Sequence, residues 1–288
     1  MPTEINALVA DARRRLRGAG IPADEAALDA RLLAQHVLGW DAARLMTHGD
    51  EIVPVPFPSS YELLVARRCA REPLAYITGV REFWNLSIEV TPAVLIPRPE
   101  TELLIESALE HFAHAESVRM LDVCTGSGCV AVGLAREFLR ATIVASDISE
   151  DALEVARRNA VRHGVAARVR CVRADLVAGL TGPFDLIVAN PPYIPTTDAP
   201  TLQPEVREFE PAAALFAGED GLQIVRRLLK ESVTALQDDG MLIFEFGAGQ
   251  AAAVEALVAR TPALALVEVR HDLQDIPRAA VLRKAAHI

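Results

Sequence analysis

The segment Asn190-Pro191-Pro192-Tyr193 places an amide, two prolines and an aromatic ring one after another. Proline has no backbone N–H, so no neighbouring donor competes for the carbonyl oxygens of Asn190 and Pro191. A planar NH2 group carries two donors, and the Asn190 side-chain oxygen together with the Pro191 carbonyl could accept both. We therefore predict a corner that orients a planar nitrogen with its lone pair directed at an electrophile. The alternative interpretation is an ordinary proline-rich turn in which Asn190 is a cap.

A second segment of this kind is the turn Cys124-Thr125-Gly126-Ser127-Gly128, between a predicted buried strand over 118–123 and a predicted helix over 130–138. Glycine lets the backbone approach a ligand closely, and the start of a helix offers free N–H groups. A dinucleotide site typically reads Gly-x-Gly-x-x-Gly, and the third glycine is not in place here. The turn alone therefore indicates a ligand-binding loop only weakly.

Acidic residues follow the next two predicted strands. Asp147 lies about twenty residues beyond the glycine turn, where an acid can hold the hydroxyl groups of an adenosine ribose. The alternative is that Asp147 caps the following helix jointly with Ser149. Asp175 and Leu176 follow the strand predicted over 168–173. From that position alone we expect Asp175 to meet an adenine amino group and Leu176 to pack on the ring.

A proline-bracketed arginine precedes another predicted helix. The run Pro97-Arg98-Pro99-Glu100-Thr101-Glu102 leads into a helical pattern over 103–112, and its acids suit the first turn of a helix. One interpretation is a linker with an N-cap. The other is a clamp edge over the active site, with Arg98 and Glu102 as polar anchors.

These segments require a parallel sheet to bring them together. The apolar run over 186–189 is too short for a helix and suits a buried parallel strand. In open α/β sheets ligands bind at the carboxyl ends of the strands, so the fold class is predicted as α/β. The remaining predicted elements are a proline-rich connection over 194–221, a helix over 222–236, a turn at 238–240, a strand over 241–246 and an antiparallel closing pair over 264–270 and 279–282.

Three regions of the chain differ in character. Residues 1–75 predict a small helical domain, which is either a packing appendage or a docking surface for a macromolecular partner. Residues 76–95 are rich in β formers and predict a hairpin linker, with strands over 76–79 and 83–90. Residues 96–288 form the predicted catalytic domain. The predicted helices of the first region cover 3–19, a stretch from an Asp24 cap to Gly39, 41–47 and 59–71.

Composition excludes several classes of protein. The 288 residues are 51% hydrophobic and 24% charged, which supports a sizeable core and argues against disorder. A net charge of −10 argues against direct binding to nucleic acid, which needs clustered basic residues. We expect no metal site, because the four cysteines lack metal-ligand spacing. With no signal peptide or membrane span predicted, we expect a cytoplasmic protein with reduced thiols.

Taken together, these motifs resemble a known family. The order Asp122-x-x-x-Gly126-x-Gly128, Asp147 and Asn-Pro-Pro-Tyr resembles class I methyltransferases that use S-adenosylmethionine to methylate a planar nitrogen. With the run over 96–102 added, nearly the whole chain resembles the protein-(glutamine-N5) methyltransferases of peptide chain release factors, often called the HemK or PrmC family. Further matching segments are Glu205-Val206, Glu210-Pro211, Gly218-Glu-Asp-Gly221-Leu222, Glu245-Phe246-Gly247 with Gln250, and Asp272-Leu273 with Arg278.

The resemblance implies a Rossmann-like methyltransferase domain with a small helical N-terminal domain and a β-hairpin linker. It implies S-adenosylmethionine as cofactor, bound by Cys124, Thr125, Gly126, Ser127, Gly128, Asp147, Asp175, Leu176 and Asn190. Asn190, Pro191 and Tyr193 would be catalytic. The substrate would contact Asn190, Pro191, Pro192, Tyr193, Arg98 and Glu102.

The implied substrate is the glutamine of the Gly-Gly-Gln loop in class 1 release factors, methylated by a monomeric enzyme of translation termination. Alternatives are a ribosomal-protein glutamine, a base of a nucleic acid, or a binding module that has lost its chemistry. Two positions depart from the family pattern: Cys124 stands where glycine is usual, and Leu176 where some members carry Trp.

Overall fold

The computed structural model describes residues 4–52, 54–112 and 117–285. The chain forms two compact units: Met1–Val80 with Gln203–Phe209, and Arg81–Leu202 with Glu210–Ile288. The helices are α1 Ile5–Gly18, α2 Ala23–Leu38, α3 Ala42–His48, α4 Phe57–Cys69, α5 Leu74–Thr78, α6 Glu102–Phe112, α7 Cys129–Glu137, α8 Glu150–Arg162, α9 Pro204–Phe209, α10 Gln223–Ala235 and α11 Ala251–Ala259. The strands are β1 Val80–Phe83, β2 Leu86–Glu89, β3 Arg119–Val123, β4 Thr142–Asp147, β5 Val169–Arg173, β6 Phe184–Ala189, β7 Leu236–Glu245, β8 Leu264–His271 and β9 Pro277–Lys284.

The first unit is helical, as the sequence predicts. Its core is built from the apolar faces of α1, α2 and α4, and the Tyr61 hydroxyl inside it donates to the Ala30 carbonyl at 2.8 Å. Gly39 ends α2 in a left-handed conformation. The predicted cap of α2 is wrong: Pro22 holds the N-cap position, and Asp24 lies in the first turn.

A buried arginine joins three elements within this unit. Arg68 is 2% exposed and pairs with Asp29 at 2.7 Å, Glu25 at 2.7 Å and Glu205 at 2.8 Å. Glu205 lies on α9 and also pairs with Arg71 at 2.6 Å. A buried guanidinium and a buried carboxylate each need a partner, so these pairs hold α9 with the N-terminal helices.

The hairpin differs in register from its prediction. Residues 76–78 belong to helix α5, which ends at the left-handed Gly79. The strands are β1 and β2, and Trp84 and Asn85 form the turn between them, with φ of 52° and 54°. Positive φ at both central residues is the conformation of a tight hairpin turn. The hairpin is confirmed, whereas the strand at 76–79 and the placement of Trp84 within a strand are wrong.

The second unit contains a seven-stranded sheet in the order β5-β4-β3-β6-β7-β9-β8. The first five of these strands run parallel, and β9 pairs antiparallel with β7 and β8, which confirms the predicted closing pair. From β3 the chain adds β4 and β5 on one side and then β6 and β7 on the other, so the order of the strands reverses between β3 and β6. Neighbouring carboxyl ends diverge at such a switch point, and a crevice opens there. The predicted α/β fold class, with its helical domain and hairpin, is confirmed.

The second half of this unit contains one corrected element and two features that the sequence did not predict. The turn at Asp238-Asp239-Gly240 does not precede the strand; it is an irregularity within β7, because Phe184 pairs with Leu236 and Leu186 with Met241. Helix α11 was not predicted. The connection after β6 contains short helices over Thr196–Thr201, Pro204–Phe209 and Ala212–Ala214.

Within the described ranges, no helix has the length and apolar character needed to cross a membrane.

Replacing Arg68 with Ala should destabilise the protein strongly. The substitution leaves the carboxylate of Asp29 buried without its cation, which typically costs about 3–5 kcal/mol. The neighbouring Arg67 pairs with Glu72 at 2.5 Å, yet its side chain is 44% exposed, so Arg67→Ala should cost at most about 1 kcal/mol. Urea denaturation of both variants measures the free energies of unfolding. Equal losses of unfolding free energy in the two variants would show that the buried ion pairs of Arg68 stabilise the protein no more than an exposed pair does.

Candidate active site

A cavity of about 340 Å³ lies at the carboxyl edge of the sheet, beside the switch point. Register explains its position, because Val123 at the end of β3 pairs with both Ser146 of β4 and Ala189 of β6. The residues that follow these strands therefore emerge together. The predicted site residues in its wall are Cys124, Thr125, Gly126, Ser127, Asp147, Asp175, Leu176, Asn190 and Pro192.

The glycine turn is held by a carboxylate beneath it. Asp122 is 1% exposed and accepts hydrogen bonds from the Thr125 hydroxyl at 2.5 Å and from the Ala131 N–H at 3.1 Å. Burial raises the pKa of Asp122 to about 7. Because its two donors lie on the turn and on α7, this side chain fixes the turn against the helix that follows.

Gly126 and Gly128 are required for different reasons. Gly126 lines the cavity and has φ of 54°, and a Cβ added there would meet no atom within 4 Å. Gly128 has φ of 78°, and an added Cβ would lie 2.9 Å from the Cβ of Ala156. Gly128 is not in the cavity wall; its role in the structure is to let α8 approach the turn.

Cys124 and Leu176 also adopt left-handed conformations, with φ of 59° and 53°. Such conformations favour glycine over residues with a Cβ. This explains in physical terms why glycine would suit position 124. Cys124 lies in the cavity wall, and burial raises the pKa of its thiol, so the thiol is neutral and a poor nucleophile.

Asp147 connects the glycine turn to the next helix. One carboxylate oxygen accepts from the Gly126 N–H at 2.9 Å, and the other accepts from the Ser149 N–H at 2.9 Å. The Ser149 hydroxyl caps α8 by accepting from the Ala152 N–H at 3.2 Å. Each Asp147 oxygen keeps a second lone pair. Asp147 and Ser149 therefore both contribute to the start of α8, as the alternative interpretation of the sequence predicted. The remaining lone pairs of Asp147 are available to a ligand in the cavity.

Asp175 has a partner that the sequence analysis did not identify. Its carboxylate lies 3.0 Å from Arg227 on α10, and Arg227 also lines the cavity. Nothing in the local sequence marks Arg227, since α10 begins about fifty residues after Asp175 and only folding brings them together. The predicted contact of Asp175 with an adenine amino group stays a prediction.

Asn190 lies at the start of a hydrogen-bonded chain of side chains. Its NH2 group donates to the Thr101 hydroxyl at 3.0 Å, and Thr101 donates to Glu245 at 2.6 Å. The second oxygen of Glu245 accepts from the Tyr193 hydroxyl at 2.9 Å. Glu245 and Thr101 are each 2% exposed. Burial raises the pKa of Glu245 to about 7 and that of Tyr193 above its usual range.

The sequence analysis quoted Thr101 and Glu245 within segments that match the family pattern but assigned neither of them a role in the site. Glu245 does carry a signal in the sequence, because it is an acid directly after the apolar run 241–244. Tyr193 and Pro191 do not line the cavity. The backbone of Tyr193 is also held, since its carbonyl accepts a hydrogen bond from the Gln250 side-chain amide at 2.9 Å.

The structure does not bring Arg98 and Glu102 into the cavity wall. Arg98 pairs with Glu210 at 2.5 Å, and the other oxygen of Glu210 accepts from the Ile96 N–H at 3.1 Å. Glu102 accepts from the Trp84 N–H at 2.7 Å and so fixes the tip of the hairpin. Their predicted contacts with a substrate stay predictions.

Among the described residues, no group of His, Cys, Asp or Glu side chains is arranged to hold a metal ion. The cysteines Cys69, Cys124, Cys129 and Cys171 are free.

Comparison with known proteins extends these observations. A family model described as PrmC N-terminal domain matches residues 7–79, and one described as Methyltransferase small domain matches residues 100–205. A release factor glutamine methyltransferase of Deinococcus radiodurans is 42% identical over 283 residues, which cover 98% of this chain and 99% of that protein. One of Bradyrhizobium diazoefficiens is 41% identical over 273 residues, covering 94% of this chain and 91% of that protein.

Among solved structures, a 16S rRNA N2 G1207 methyltransferase of T. thermophilus, in complex with AdoMet and guanosine, is similar with a TM-score of 0.51. It is 17% identical, and the match covers 72% of this chain and 50% of that chain. At this identity the similarity concerns the fold alone.

The strain at Cys124 can be measured by substitution. Because φ is 59° there, Cys124→Val should destabilise the protein by about 1–3 kcal/mol. Cys124→Gly relieves the strain at the expense of a more flexible unfolded chain, so its free energy of unfolding should lie within about 1 kcal/mol of the original. Thermal and urea unfolding test the pair. Equal stability of the Val and Gly variants would show that this backbone conformation is not strained.

Proposed function

The chain belongs to the release factor glutamine methyltransferases, and from this membership we propose that it methylates the side-chain amide nitrogen of a glutamine in peptide chain release factors. The methyl donor is S-adenosylmethionine and the acceptor is the glutamine of the Gly-Gly-Gln motif. The observation that carries the proposal is the placement of Asn190 in the wall of a cavity shared with the glycine turn and Asp147.

The cavity wall has the features that this cofactor needs. The left-handed turn leaves open space above Gly126, into which the methionine portion fits without meeting a side chain. The unused lone pairs of Asp147 suit the two ribose hydroxyls. Leu176 is apolar and lies in the wall beside Asp175, where an adenine ring would pack. When bound, S-adenosylmethionine supplies a methyl group on a positively charged sulfur.

Asn190 and Pro191 orient the acceptor in this proposal. An amide nitrogen is a weak nucleophile because its lone pair is delocalised, so placement has to supply much of the rate. Correct near-attack geometry can supply up to about 7–11 kcal/mol. The Asn190 side-chain oxygen and the Pro191 carbonyl accept the two N–H groups of the glutamine and stabilise the positive charge that develops on the nitrogen.

Tyr193 and Glu245 shape the corner in this proposal. No residue has to remove a proton from the glutamine amide before the methyl group is transferred. The methylated nitrogen is acidic enough to lose its proton late, to water. Tyr193 lies beside the corner with its hydroxyl held by Glu245, and in the proposal its ring packs on the flat amide. Because burial raises the pKa of Tyr193, its phenol stays neutral and does not act as a base.

The helical unit is proposed to dock on the release factor away from the glutamine. Its charges nearly cancel in the sequence, which is compatible with a protein partner. A monomeric enzyme in the cytoplasm belongs to the same proposal. In the proposal Arg98 and Glu102 contact parts of the substrate other than the amide.

The first experiment offers methyl-labelled S-adenosylmethionine and a purified release factor to the protein. The matched control is the same factor with its Gly-Gly-Gln glutamine replaced. We expect label on the unmodified factor alone, mapped by mass spectrometry to the peptide that contains this glutamine. Label on a ribosomal protein or on nucleic acid offered in parallel, with none on the factor, would contradict the proposed substrate.

Two substitutions separate acceptor chemistry from cofactor binding. Asn190→Ala should lower kcat by about 10²–10³-fold, the usual cost of removing one group that stabilises developing charge, while the Kd for S-adenosylmethionine stays within about threefold. Asp147→Ala should chiefly raise that Kd, because a hydrogen-bonding pair to the ribose is lost. Isothermal titration and steady-state kinetics measure both. Comparable loss of binding and turnover in Asn190→Ala would refute its separate role.

A further inference from the structure

We propose that Glu245 is a positioning residue, which acts through the Thr101 hydroxyl to keep the side-chain oxygen of Asn190 directed at the acceptor amide. The inference rests on the proposed function, because it explains how that acceptor is oriented. It starts from three hydrogen bonds in the structure: Asn190 to Thr101 at 3.0 Å, Thr101 to Glu245 at 2.6 Å and Tyr193 to Glu245 at 2.9 Å.

The direction of these hydrogen bonds follows from counting protons. An ionised carboxylate can only accept, so Thr101 and Tyr193 must each donate their single hydroxyl proton to Glu245. The Thr101 oxygen then has lone pairs alone to offer its other neighbour. Asn190 must therefore turn its NH2 group, and not its oxygen, toward Thr101. The side-chain oxygen is left on the opposite side of the amide, free to accept from a substrate.

Protonation of Glu245 would remove this constraint. A protonated carboxyl can donate to the Thr101 oxygen, and the Thr101 proton is then free to turn toward Asn190. The Asn190 amide would rotate to accept that proton and would present its NH2 group to the acceptor amide. Two NH2 groups cannot hydrogen-bond each other through their donors. The protonation state of Glu245 thus decides which end of the Asn190 amide faces the substrate: the oxygen, which accepts hydrogen bonds from the acceptor NH2 group, or the NH2 group, which cannot.

The surroundings of Glu245 place this switch in an accessible pH range. Besides the Thr101 and Tyr193 hydroxyls, the charged neighbours are Glu100, which raises the pKa of Glu245, and Arg278 on β9, which lowers it. The Cys129 thiol on α7 also interacts with it. Burial is the largest cause, and the pKa is raised to about 7. Since the ionised form is the one that orients Asn190, activity should rise as the pH rises through this value.

Two matched pairs of variants test the role. Glu245→Gln keeps the shape of the side chain and removes the buried charge, so the protein should fold. Thr101→Ser keeps the hydroxyl that relays the orientation, whereas Thr101→Val keeps the shape without it. The control for neutralising a carboxylate is Asp185→Asn. Asp185 lies near the start of β6, at the end away from Asn190, and accepts from the Arg119 N–H at 2.6 Å.

The kinetic readout is kcat for release factor methylation between pH 5.5 and about 8.5, covering the ionisation range around neutrality. We expect the wild type and Asp185→Asn to lose about tenfold in kcat per pH unit on the acidic side, with the same midpoint. Glu245→Gln should be about tenfold or more slower at pH about 8, should lack that acidic limb, and should bind S-adenosylmethionine normally. Thr101→Ser should retain the limb and most of the rate, and Thr101→Val should lose both.

A second readout does not depend on activity. NMR of the Asn190 side-chain NH2 group should show a titration with the same midpoint as the Glu245 carboxyl carbon, and this titration should vanish in Glu245→Gln. A Glu245→Gln variant with the wild-type rate and acidic limb, or an Asn190 amide that does not respond to Glu245, would overturn the inference. Failure of the wild type to methylate any release factor would instead overturn the proposed function, and the NMR titration would still decide the role of Glu245.

Discussion

A carboxylate removed from water must find hydrogen-bond donors inside the protein, since burying it without them costs several kcal/mol. This requirement organises the carboxyl edge of the sheet, where the cavity lies. Asp122 at the end of β3 takes its donors from the glycine turn and from α7. Glu245 at the end of β7 takes its donors from Thr101 and Tyr193. Each buried acid thereby fixes the backbone or side chains that face the cavity.

The two acids support different halves of the proposed site. Asp122 holds the turn over which the cofactor would lie, and Glu245 holds the corner that would orient the acceptor. For both, burial raises the pKa to about 7. A raised carboxyl pKa means that ionisation costs folding free energy, so the stability contributed by the protonated forms is lost as the pH rises through this value. The fold gives up part of its stability at the place where ordered acceptors are needed.

Tight backbone geometry complements these hydrogen bonds. The turn after β3 and the residues after β5 adopt left-handed conformations at Cys124, Gly126 and Leu176, which direct their backbones toward one cavity. The connection that follows Tyr193 has its own short helices, and α9 within it belongs to the helical unit through the Glu205 pairs with Arg68 and Arg71. The residues next to the acceptor corner are therefore continuous in the chain with the unit proposed to dock the substrate protein.

The sequence by itself determined the strands, most of the helices and the segments that meet at the carboxyl edge, because apolar periodicity and prolines and glycines act locally. It also carried the family resemblance through short motifs such as Asn190-Pro191-Pro192-Tyr193. The sequence reasoning was wrong or silent at three places: residues 76–78 form a helix, residues 238–240 lie within β7 because both sides of them pair with β6, and α11 was not predicted.

Only the tertiary structure decided which side chains complete the site. Thr101 and Glu245 are 144 positions apart in the chain, and Asp175 and Arg227 are 52 apart. Nothing in either local sequence specifies the partner, since a hydrogen bond depends on distance and angle after folding. The sequence predicted Asn190 at the site, and the structure has it in the cavity wall. The orientation of its amide was decided by folding, because it depends on where a single Thr101 proton is donated.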